Sequence, residues 1–318
     1  MDIAPAVAPA AAPVRRPAAL RPGDVVTLVS PAGPVPRARV DLGVELLSSW
    51  GLVPEVAPHA LDRDGSLRYL AGADADRLAD LNAAFADPRV RAVFCTRGGY
   101  GALRIVDSLD LEPLRDDPKP LVGFSDITTL QLALWSRLGM ASVHGPVAAW
   151  NPARLGPVAA EALRAAVMTT EPVVVARDPA ELTAAVSVPG VARGTLVAAN
   201  LALLVASLGS ADQPDLTGAI VLLEDVTEEP YRLDRLLTQL RRAGLERAAG
   251  VALGQFTECG PDADVLAVLT DRLTGLGIPV LGGLPIGHGQ DQRTVPFGVP
   301  AVLDVAAGTL TAEPAVTG

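Results

Sequence analysis

Short apolar runs alternate with segments of helical periodicity through the first half of the chain. The apolar runs, which are typical of buried strands, lie at 25–30, 51–56, 90–96, 121–124 and 141–146. Apolar residues at helical spacing lie between these runs, at 37–50, 74–86, 102–109 and 126–137. This alternation predicts an α/β domain with a Rossmann-like parallel sheet and helices on both faces. Functional loops are then expected at the C-terminal ends of the strands.

The second half of the chain is less regular. Its strand-like segments are 219–223, 250–256, 279–281 and 299–305, and its helical segments are 231–243 and 265–276. The pattern predicts a second, smaller α/β or α+β domain. Turn signals and a high Pro and Ala content mark the region between the halves. We therefore expect an N-terminal domain at 21–150, a linker region at 151–192 and a C-terminal domain at 193–318, with the active site between the domains.

The start of the chain, residues 1–20, is rich in Ala and Pro and predicts a disordered tail. Prolines interrupt any apolar helix there, which argues against a signal peptide. Arg15 and Arg16 are reminiscent of twin-arginine export, but no long apolar run follows them. The uncharged stretch 194–211 is the segment most like a membrane span. Polar residues interrupt it, and it predicts a buried helix.

Composition narrows the class of protein. The 318 residues are 49% hydrophobic and 19% charged, which is ample for sizeable cores. The formal net charge of −10 disfavours nucleic acid or an anionic membrane surface as a partner. The two cysteines, Cys95 and Cys259, are far apart in sequence. This usage fits a reduced cytoplasmic protein without a disulfide framework.

Ser125 is the first candidate for chemistry. It stands between the apolar run 121–124 and the helical segment 126–137. A turn between strand and helix exposes a serine hydroxyl, and the free N–H groups of the helix start are able to hold an oxyanion. The alternative is a helix N-cap, which also favours serine.

A glycine-rich loop, Arg97–Gly101, follows the preceding strand. Such a loop lets backbone approach a ligand closely, and its N–H groups could form an oxyanion-hole wall beside Ser125. That arrangement requires the two loops to leave neighbouring parallel strands at the same end of the sheet. A tight turn is the alternative, whereas a nucleotide loop is disfavoured because Arg104 stands at the third glycine position.

The second half supplies a histidine and several acids. His288 lies between glycines in a loop after a strand, a context that suits a general base, although a lone histidine in a loop is more often simply exposed. Glu224 is attached to the apolar run that ends near 223, which suits a carboxylate that orients an imidazole. Glu228 is the competing acid, although an acid there also suits a helix N-terminus. Together, Ser125, Glu224 and His288 predict a serine hydrolase.

The other two histidines carry less information. His144 ends a strand-like run, and we expect a buried, hydrogen-bonded structural role, with a supporting role near the active site as the alternative. His59 lies in a loop and receives no assignment. No spacing of histidine or cysteine indicates a metal site, so neither a metal nor a cofactor is predicted.

Several motifs, in this order along the chain, resemble the LD-carboxypeptidase family of serine peptidases, which trim bacterial cell-wall peptides. The resemblance runs from about Arg21 to about Gly308. The motifs that carry it are Arg21–Asp24, Ser30–Gly33, Arg97–Gly101, Gly123–Thr128, His144–Pro146, Asn200–Leu201, Leu223–Asp225, Tyr231–Arg235 and Gly283–Gly289. One departure is Ala198–Ala199, where the family often has two glycines, which bears on substrate range.

The resemblance implies a role for individual residues. It assigns Ser125 as nucleophile, His288 as general base and Glu224 as the acid that orients His288. Backbone N–H groups of Gly99 and Asp126 would form the oxyanion hole. The candidates for substrate binding are Arg97, Tyr100, Asn200 and Arg232.

The resemblance also implies an activity and a setting. The expected reaction is removal of the terminal D-alanine from the murein tetrapeptide L-Ala-γ-D-Glu-meso-Dap-D-Ala during peptidoglycan recycling, in the cytoplasm, by a homodimer without a cofactor. One alternative is an immunity peptidase for microcin-type peptidyl-nucleotide antibiotics, for which Trp150 is the aromatic candidate to stack a base. Another is a non-catalytic module that binds wall peptides.

Overall fold

The computed structural model describes residues 14–318, and its strands form two sheets. Over this range the strands are β1 (Val25–Val29), β2 (Val53–Val56), β3 (Val90–Cys95), β4 (Leu121–Gly123), β5 (Ser142–His144), β6 (Val173–Ala176), β7 (Ser187–Val188), β8 (Val191–Asn200), β9 (Ile220–Val226), β10 (Gly250–Thr257), β11 (Val280–Leu281), β12 (Val295–Phe297), β13 (Pro300–Asp304) and β14 (Thr309–Ala312).

Helices alternate with these strands. In the described part of the chain they are α1 (Arg37–Ser49), α2 (Asp74–Ala86), α3 (Ala102–Ile105), α4 (Pro113–Asp116), α5 (Thr128–Leu138), α6 (Pro157–Met168), α7 (Leu201–Ala206), α8 (Pro230–Arg242) and α9 (Asp262–Leu273). None of them is long and apolar enough to span a membrane.

The first sheet has the strand order β12-β5-β4-β3-β1-β2. The five strands β1 to β5 pair in parallel, as the alternation of apolar and helical segments predicts. The exception is the edge strand β12, which comes from near the C-terminus and pairs antiparallel with β5. The predicted α/β class is therefore confirmed, and the first sheet is completed by the second half of the chain.

The second sheet has the order β6-β14-β13-β8-β9-β10-β11-β7 and is mixed. Its centre, β8 to β11, is parallel, and antiparallel strands flank it on both sides. One apolar core runs between the sheets, since buried residues of both, such as Phe94 and Leu222, belong to the same cluster. The two sheets thus share a continuous interior.

The described part of the predicted tail is ordered, which corrects the prediction of disorder up to residue 20. The Arg15 N–H donates to Gly139 O at 2.9 Å, and the Leu20 N–H donates to Val167 O at 2.8 Å. The side chain of Leu20 is 3% exposed and packs in the shared core. These contacts offset the chain entropy that a Pro-rich segment otherwise retains. Residues 1–13 lie outside the described residues.

The region predicted as a linker, 151–192, also needs correction. It contains α6, β6 and β7, and both strands pair within the second sheet. The Pro and Ala content marks turns between these elements and does not mark a spacer. The domain boundaries at 150 and 193 stay a prediction.

The uncharged stretch 194–211 is not one helix, contrary to expectation. Its first part continues β8 to Asn200, and α7 begins at the next residue. The Asn200 side chain accepts a hydrogen bond from the Leu203 N–H at 3.2 Å and so caps α7. An apolar run without polar alternation fits a strand buried on both faces as well as a helix, and the cap marks the switch.

The packing of the segment before β1 is testable with Leu20→Ala. Removing this buried side chain is expected to lower the free energy of unfolding by about 2–5 kcal/mol, because it leaves a cavity in the core. Urea denaturation followed by circular dichroism measures the change. The control is Leu103→Ala, since Leu103 is 41% exposed. Equal stability of Leu20→Ala and wild type would show that this segment does not pack.

Candidate active site

Ser125 occupies a strained turn between β4 and α5. Its φ is +64°, in the left-handed region that residues other than glycine rarely adopt. Residues Ser125–Ile127 form a 3₁₀ turn before α5 begins. The strain and the strand–turn–helix setting are typical of an exposed nucleophile.

The helix-cap alternative for Ser125 does not hold. Ser125 is not the N-cap of either element, because Phe124 is the N-cap residue of the 3₁₀ turn and Ile127 is that of α5. Ser125 lines a cavity of about 740 Å³, a space that could hold a ligand.

The glycine-rich loop lies against this serine. The loop follows β3 and the serine follows β4, and these two strands are parallel neighbours, so both segments leave the sheet at the same end. A β-carbon at Gly98 would lie 2.7 Å from Ser125 Cβ and 2.9 Å from Ser125 Oγ, so only glycine allows this approach. The Ala102 N–H donates to Asp126 Oδ2 at 2.8 Å and ties the loop to the serine turn. Burial raises the pKa of Asp126 to about 6, against the lowering effect of this hydrogen bond.

The oxyanion-hole candidates are the N–H groups of Gly99 and Asp126. The same hypothetical β-carbon at Gly98 would lie 3.1 Å from Asp126 N and 2.9 Å from Ser125 Oγ, so the nitrogen and the hydroxyl both lie against the loop. Among the hydrogen bonds of residues 14–318, neither of the two N–H groups donates to a protein acceptor. Both remain available to an oxyanion.

His288 and Glu224 form a pair. The imidazole Nδ1 of His288 and Oε2 of Glu224 are 2.6 Å apart and hydrogen-bonded. Glu224 is fully buried in β9, whereas His288 is partly exposed and lines the Ser125 cavity. With Nδ1 engaged, Nε2 is the ring nitrogen left for proton transfer.

One glycine and one aromatic ring pack against the Glu224–His288 pair. Backbone at Gly287 comes so close to Glu224 that a β-carbon there would lie 3.0 Å from both Cβ and Oε2 of the acid. The ring of Phe124, the neighbour of Ser125, packs on the His288 ring with centroids 4.6 Å apart. His288 and Ser125 line one cavity, and no hydrogen bond joins their side chains in the described chain. Catalytic hydrogen bonds are often long before substrate binds.

Glu228, the competing acid, is placed differently. It lines the cavity, and its carboxylate lies 3.4 Å from Arg232 Nη1, four residues further along the chain. The structure thus brings Glu224, and not Glu228, to His288. The attachment of Glu224 to a buried strand was the sequence signal for this.

A polar network next to Glu224 was missed by sequence reasoning. Asp225 Oδ1 accepts a hydrogen bond from Asn200 Nδ2 at 2.9 Å, and Oδ2 accepts one from the Ala202 N–H at 3.0 Å. Burial, and then the neighbouring Glu224, raise the pKa of Asp225 to about 7. Asn200 lines the cavity, but its side chain is engaged in this network and in capping α7.

The other substrate-binding candidates divide into two groups. Arg97 lines the cavity and donates from Nη1 to Pro34 O at 2.9 Å. Tyr100 and Arg232 do not line it. The Tyr100 ring packs edge-on against Tyr69 at 5.6 Å, and Arg232 pairs with Glu228. A separate cavity of about 600 Å³ beside α6 and β6 contains none of the predicted site residues.

Two further sequence expectations have mixed outcomes. His144 is fully buried, as expected, but neither ring nitrogen has a hydrogen-bond partner among residues 14–318. Burial lowers the pKa of His144 to about 4, so the ring is neutral near pH 7. Ala198 and Ala199 are buried in β8 and do not line the cavity, so these alanines do not narrow it.

One grouping of side chains has the spacing of metal ligands in the described chain. His59, Asp62 and Asp76 bring their ligand atoms within 4.8 Å of one another. His59 Nδ1 is already hydrogen-bonded to Asp62 Oδ2 at 2.8 Å, and none of the three lines the Ser125 cavity. We assign no function to this grouping.

Comparison with known proteins adds family information. A family model described as the LD-carboxypeptidase N-terminal domain matches residues 26–145, and the model of the corresponding C-terminal domain matches residues 193–303. The chain is 49% identical over 302 residues to a putative carboxypeptidase of Streptomyces coelicolor, covering 94% of this chain and 96% of the relative. It is 35% identical over 294 residues to a murein tetrapeptide carboxypeptidase of Pseudomonas aeruginosa, covering 88% and 92%.

A solved structure supports the architecture. The crystal structure of an MccF-like protein from Bacillus anthracis superimposes with a TM-score of 0.84, covering 94% of this chain and 99% of that one. The sequence identity of the pair is 23%, so this likeness concerns the fold alone.

The buried Asp225 yields a test by pH. Because its pKa is raised from 3.8 to about 7, Asp225 binds more protons in the folded state than in the unfolded chain between these values, so its contribution to stability falls as pH rises through this interval. Asp225→Asn removes this titration. We expect the melting temperature of the variant, relative to wild type, to increase from pH 4 to pH 7 in calorimetric scans.

The control for this experiment is Asp116→Asn, because Asp116 is exposed. Its melting temperature relative to wild type should not change over the same range. A constant difference for Asp225→Asn would contradict the raised pKa.

Proposed function

Because the chain belongs to the LD-carboxypeptidase family, we propose that it is a serine carboxypeptidase that removes the terminal D-alanine from the murein tetrapeptide L-Ala-γ-D-Glu-meso-Dap-D-Ala. The family membership gives the peptidase class. The observation that carries the proposal is the 2.6 Å hydrogen bond between Glu224 and His288 beside the cavity that Ser125 lines. The name of the Pseudomonas aeruginosa relative supports the substrate.

The proposed mechanism is acyl transfer through Ser125. Nε2 of His288 takes the hydroxyl proton as Oγ attacks the carbonyl carbon of the meso-Dap–D-Ala bond. Glu224 holds the imidazole through Nδ1 and stabilises its protonated form. The proton then passes to the leaving nitrogen, D-alanine departs, and water releases the acyl group by the same route in reverse.

Two N–H groups would stabilise the charge that develops on the carbonyl oxygen. Those of Gly99 and Asp126 lie on the loop and the turn beside Ser125 and have no protein acceptor in the described chain. The contact between Gly98 and Ser125 fixes them before substrate arrives, so little reorganisation is needed during the reaction. This preorganisation favours the transition state over the bound peptide.

A carboxypeptidase must also bind the free carboxylate of the residue that it removes. Arg97 is our proposed ligand, because it lines the cavity and adjoins the oxyanion loop. Arg232 and Tyr100 lie outside the cavity lining and are not proposed for this role. We assign Asn200 to positioning, through its hydrogen bond to Asp225.

The two alternatives have less support. An immunity peptidase for peptidyl nucleotides needs a ring on which to stack the base, and Trp150, the candidate, is only 7% exposed and belongs to the core. A non-catalytic binding module has no need for a strained serine beside an aligned Glu–His pair.

The setting of the activity is proposed from the family resemblance and from the cysteines. Both Cys95 and Cys259 are free and buried, which is compatible with a reducing cytoplasm. The homodimer stays an expectation from the resemblance.

The decisive experiment is a mass-spectrometric assay of the murein tetrapeptide with wild type and Ser125→Ala. Wild type should release D-alanine, and the variant should be slower by on the order of 10⁴-fold or more, because the nucleophile is absent. Release by both proteins would remove Ser125 from the mechanism. Release by neither, with a peptidyl sulfamoyl nucleotide cleaved instead, would favour the immunity peptidase.

A second assay separates the two acids. Glu224→Gln should lower kcat on the order of 10³-fold with little change in KM, because the charge that stabilises protonated His288 is lost. Glu228→Gln should lower kcat by less than about tenfold, since Glu228 pairs with Arg232. The reverse order of effects would reassign the acid.

A further inference from the structure

The Ser125 cavity has an unusual distribution of charge. Three arginines, Arg39, Arg97 and Arg154, line it in a chain whose formal net charge is −10. Arg97 is engaged with Pro34 O. Within residues 14–318, the guanidinium groups of Arg39 and Arg154 make no hydrogen bond and no ion pair. Neither of them lies in a sequence motif that predicts a site.

Arg39 lies in the first turn of α1, a turn that contains no acidic residue. Its neighbour Arg37 is different, because Arg37 Nε lies 3.8 Å from Asp41 Oδ1 and Arg37 does not line the cavity. The positive end of the helix dipole adds to the charge of Arg39 at the cavity wall.

Arg154 lies in the loop before α6, and this loop is tied to the one that carries His288. The Asp291 N–H donates to Arg154 O at 2.9 Å, and the Gly156 N–H donates to Asp291 Oδ1 at 2.9 Å. These bonds hold Arg154 at the cavity that His288 also lines.

Both arginines also line a narrow extension of the cavity, a space of about 110 Å³ bordered by Phe124 and His288. The acidic groups on the main cavity do not neutralise them. Asp225 accepts hydrogen bonds from Asn200 and two backbone N–H groups, and Glu228 pairs with Arg232. Two cations without a counter-charge beside a catalytic pair favour an anionic group of the ligand.

We propose that Arg39 and Arg154 bind the side-chain carboxylate of the residue that precedes the scissile bond. This inference rests on the proposed function and extends it from the leaving D-alanine to the acyl side of the substrate. Phe124 and His288, which border the extension, flank Ser125. Because Phe124 and His288 border both the main cavity and the extension, the extension adjoins the place where the acylated residue would lie. In the murein tetrapeptide this group is the free carboxylate of meso-Dap.

The experiment measures binding without turnover, by calorimetry in the Ser125→Ala background. The probes are the tetrapeptide L-Ala-γ-D-Glu-meso-Dap-D-Ala and the same peptide with the side-chain carboxyl of meso-Dap converted to an amide. Arg39→Gln and Arg154→Gln should each weaken binding of the first peptide about tenfold, since each removes a charge-assisted hydrogen bond. Binding of the amide peptide should change less than twofold.

The matched control is Arg37→Gln, which removes the same charge from the same helix outside the cavity and should leave both affinities unchanged. Arg39→Lys should retain part of the discrimination, because it keeps the charge and loses the planar fork. Circular dichroism melts of all variants verify that they fold.

Several results would overturn the subsite. It fails if Arg39→Gln and Arg154→Gln weaken both peptides equally, if they weaken neither, or if the tetrapeptide does not bind. A third peptide, amidated at the α-carboxyl of D-Glu, tests the neighbouring carboxylate. If Arg39→Gln and Arg154→Gln leave the affinity for this peptide unchanged but weaken binding of the other two peptides, the arginines bind the carboxylate of D-Glu. That result would overturn the assignment to meso-Dap.

Turnover by the protein with Ser125 intact separates this inference from the proposed function. Cleavage of the tetrapeptide and its amide with equal kcat/KM, unchanged by the Arg variants, would preserve the carboxypeptidase and reject the subsite. Discrimination in binding without any release of D-alanine would support the subsite and reject the carboxypeptidase.

Discussion

A fully buried carboxyl group must have a partner, and this requirement on Glu224 organises the site. Its hydrogen bond to His288 fixes the loop after β11 over the central strands of the second sheet. Glycine at 287 admits the backbone close enough for that bond to form, and the Phe124 ring packs against the imidazole. Removing either partner would leave a buried polar group unsatisfied, which is more costly than the bond itself is worth.

The opposite wall of the cavity carries the strained backbone of Ser125. Ser125 holds a left-handed backbone conformation, and Gly98 lies so close that a single added carbon would collide with it. Such strain persists only where the surroundings determine the conformation. Here the surroundings are two parallel strands, the 3₁₀ turn and the bond from Ala102 to Asp126. The two walls come from different halves of the chain, so the geometry depends on how the halves dock.

Much of this arrangement was predictable because local patterns specify it. Alternating apolar and helical segments predicted strands β1 to β5 and placed Ser125 after β4, and the attachment of Glu224 to a strand distinguished it from Glu228. Other features depend on contacts that a sequence pattern does not contain. An apolar run cannot distinguish β8 from a helix, and nothing local links β12 to β5. Arg39 and Arg154 look like surface charges until the fold brings them to one cavity.

The pairing of β12 with β5 also determines the order in which the protein can mature. Residues 142–144 cannot pair with residues 295–297 until the ribosome has synthesised the chain between them. The first sheet therefore lacks its edge strand during most of synthesis. Closing so long a loop is slow compared with local helix formation. The nucleophile therefore emerges long before its general base. Under the proposed mechanism the nascent chain is inert toward peptides until His288 has been synthesised and has packed on Glu224.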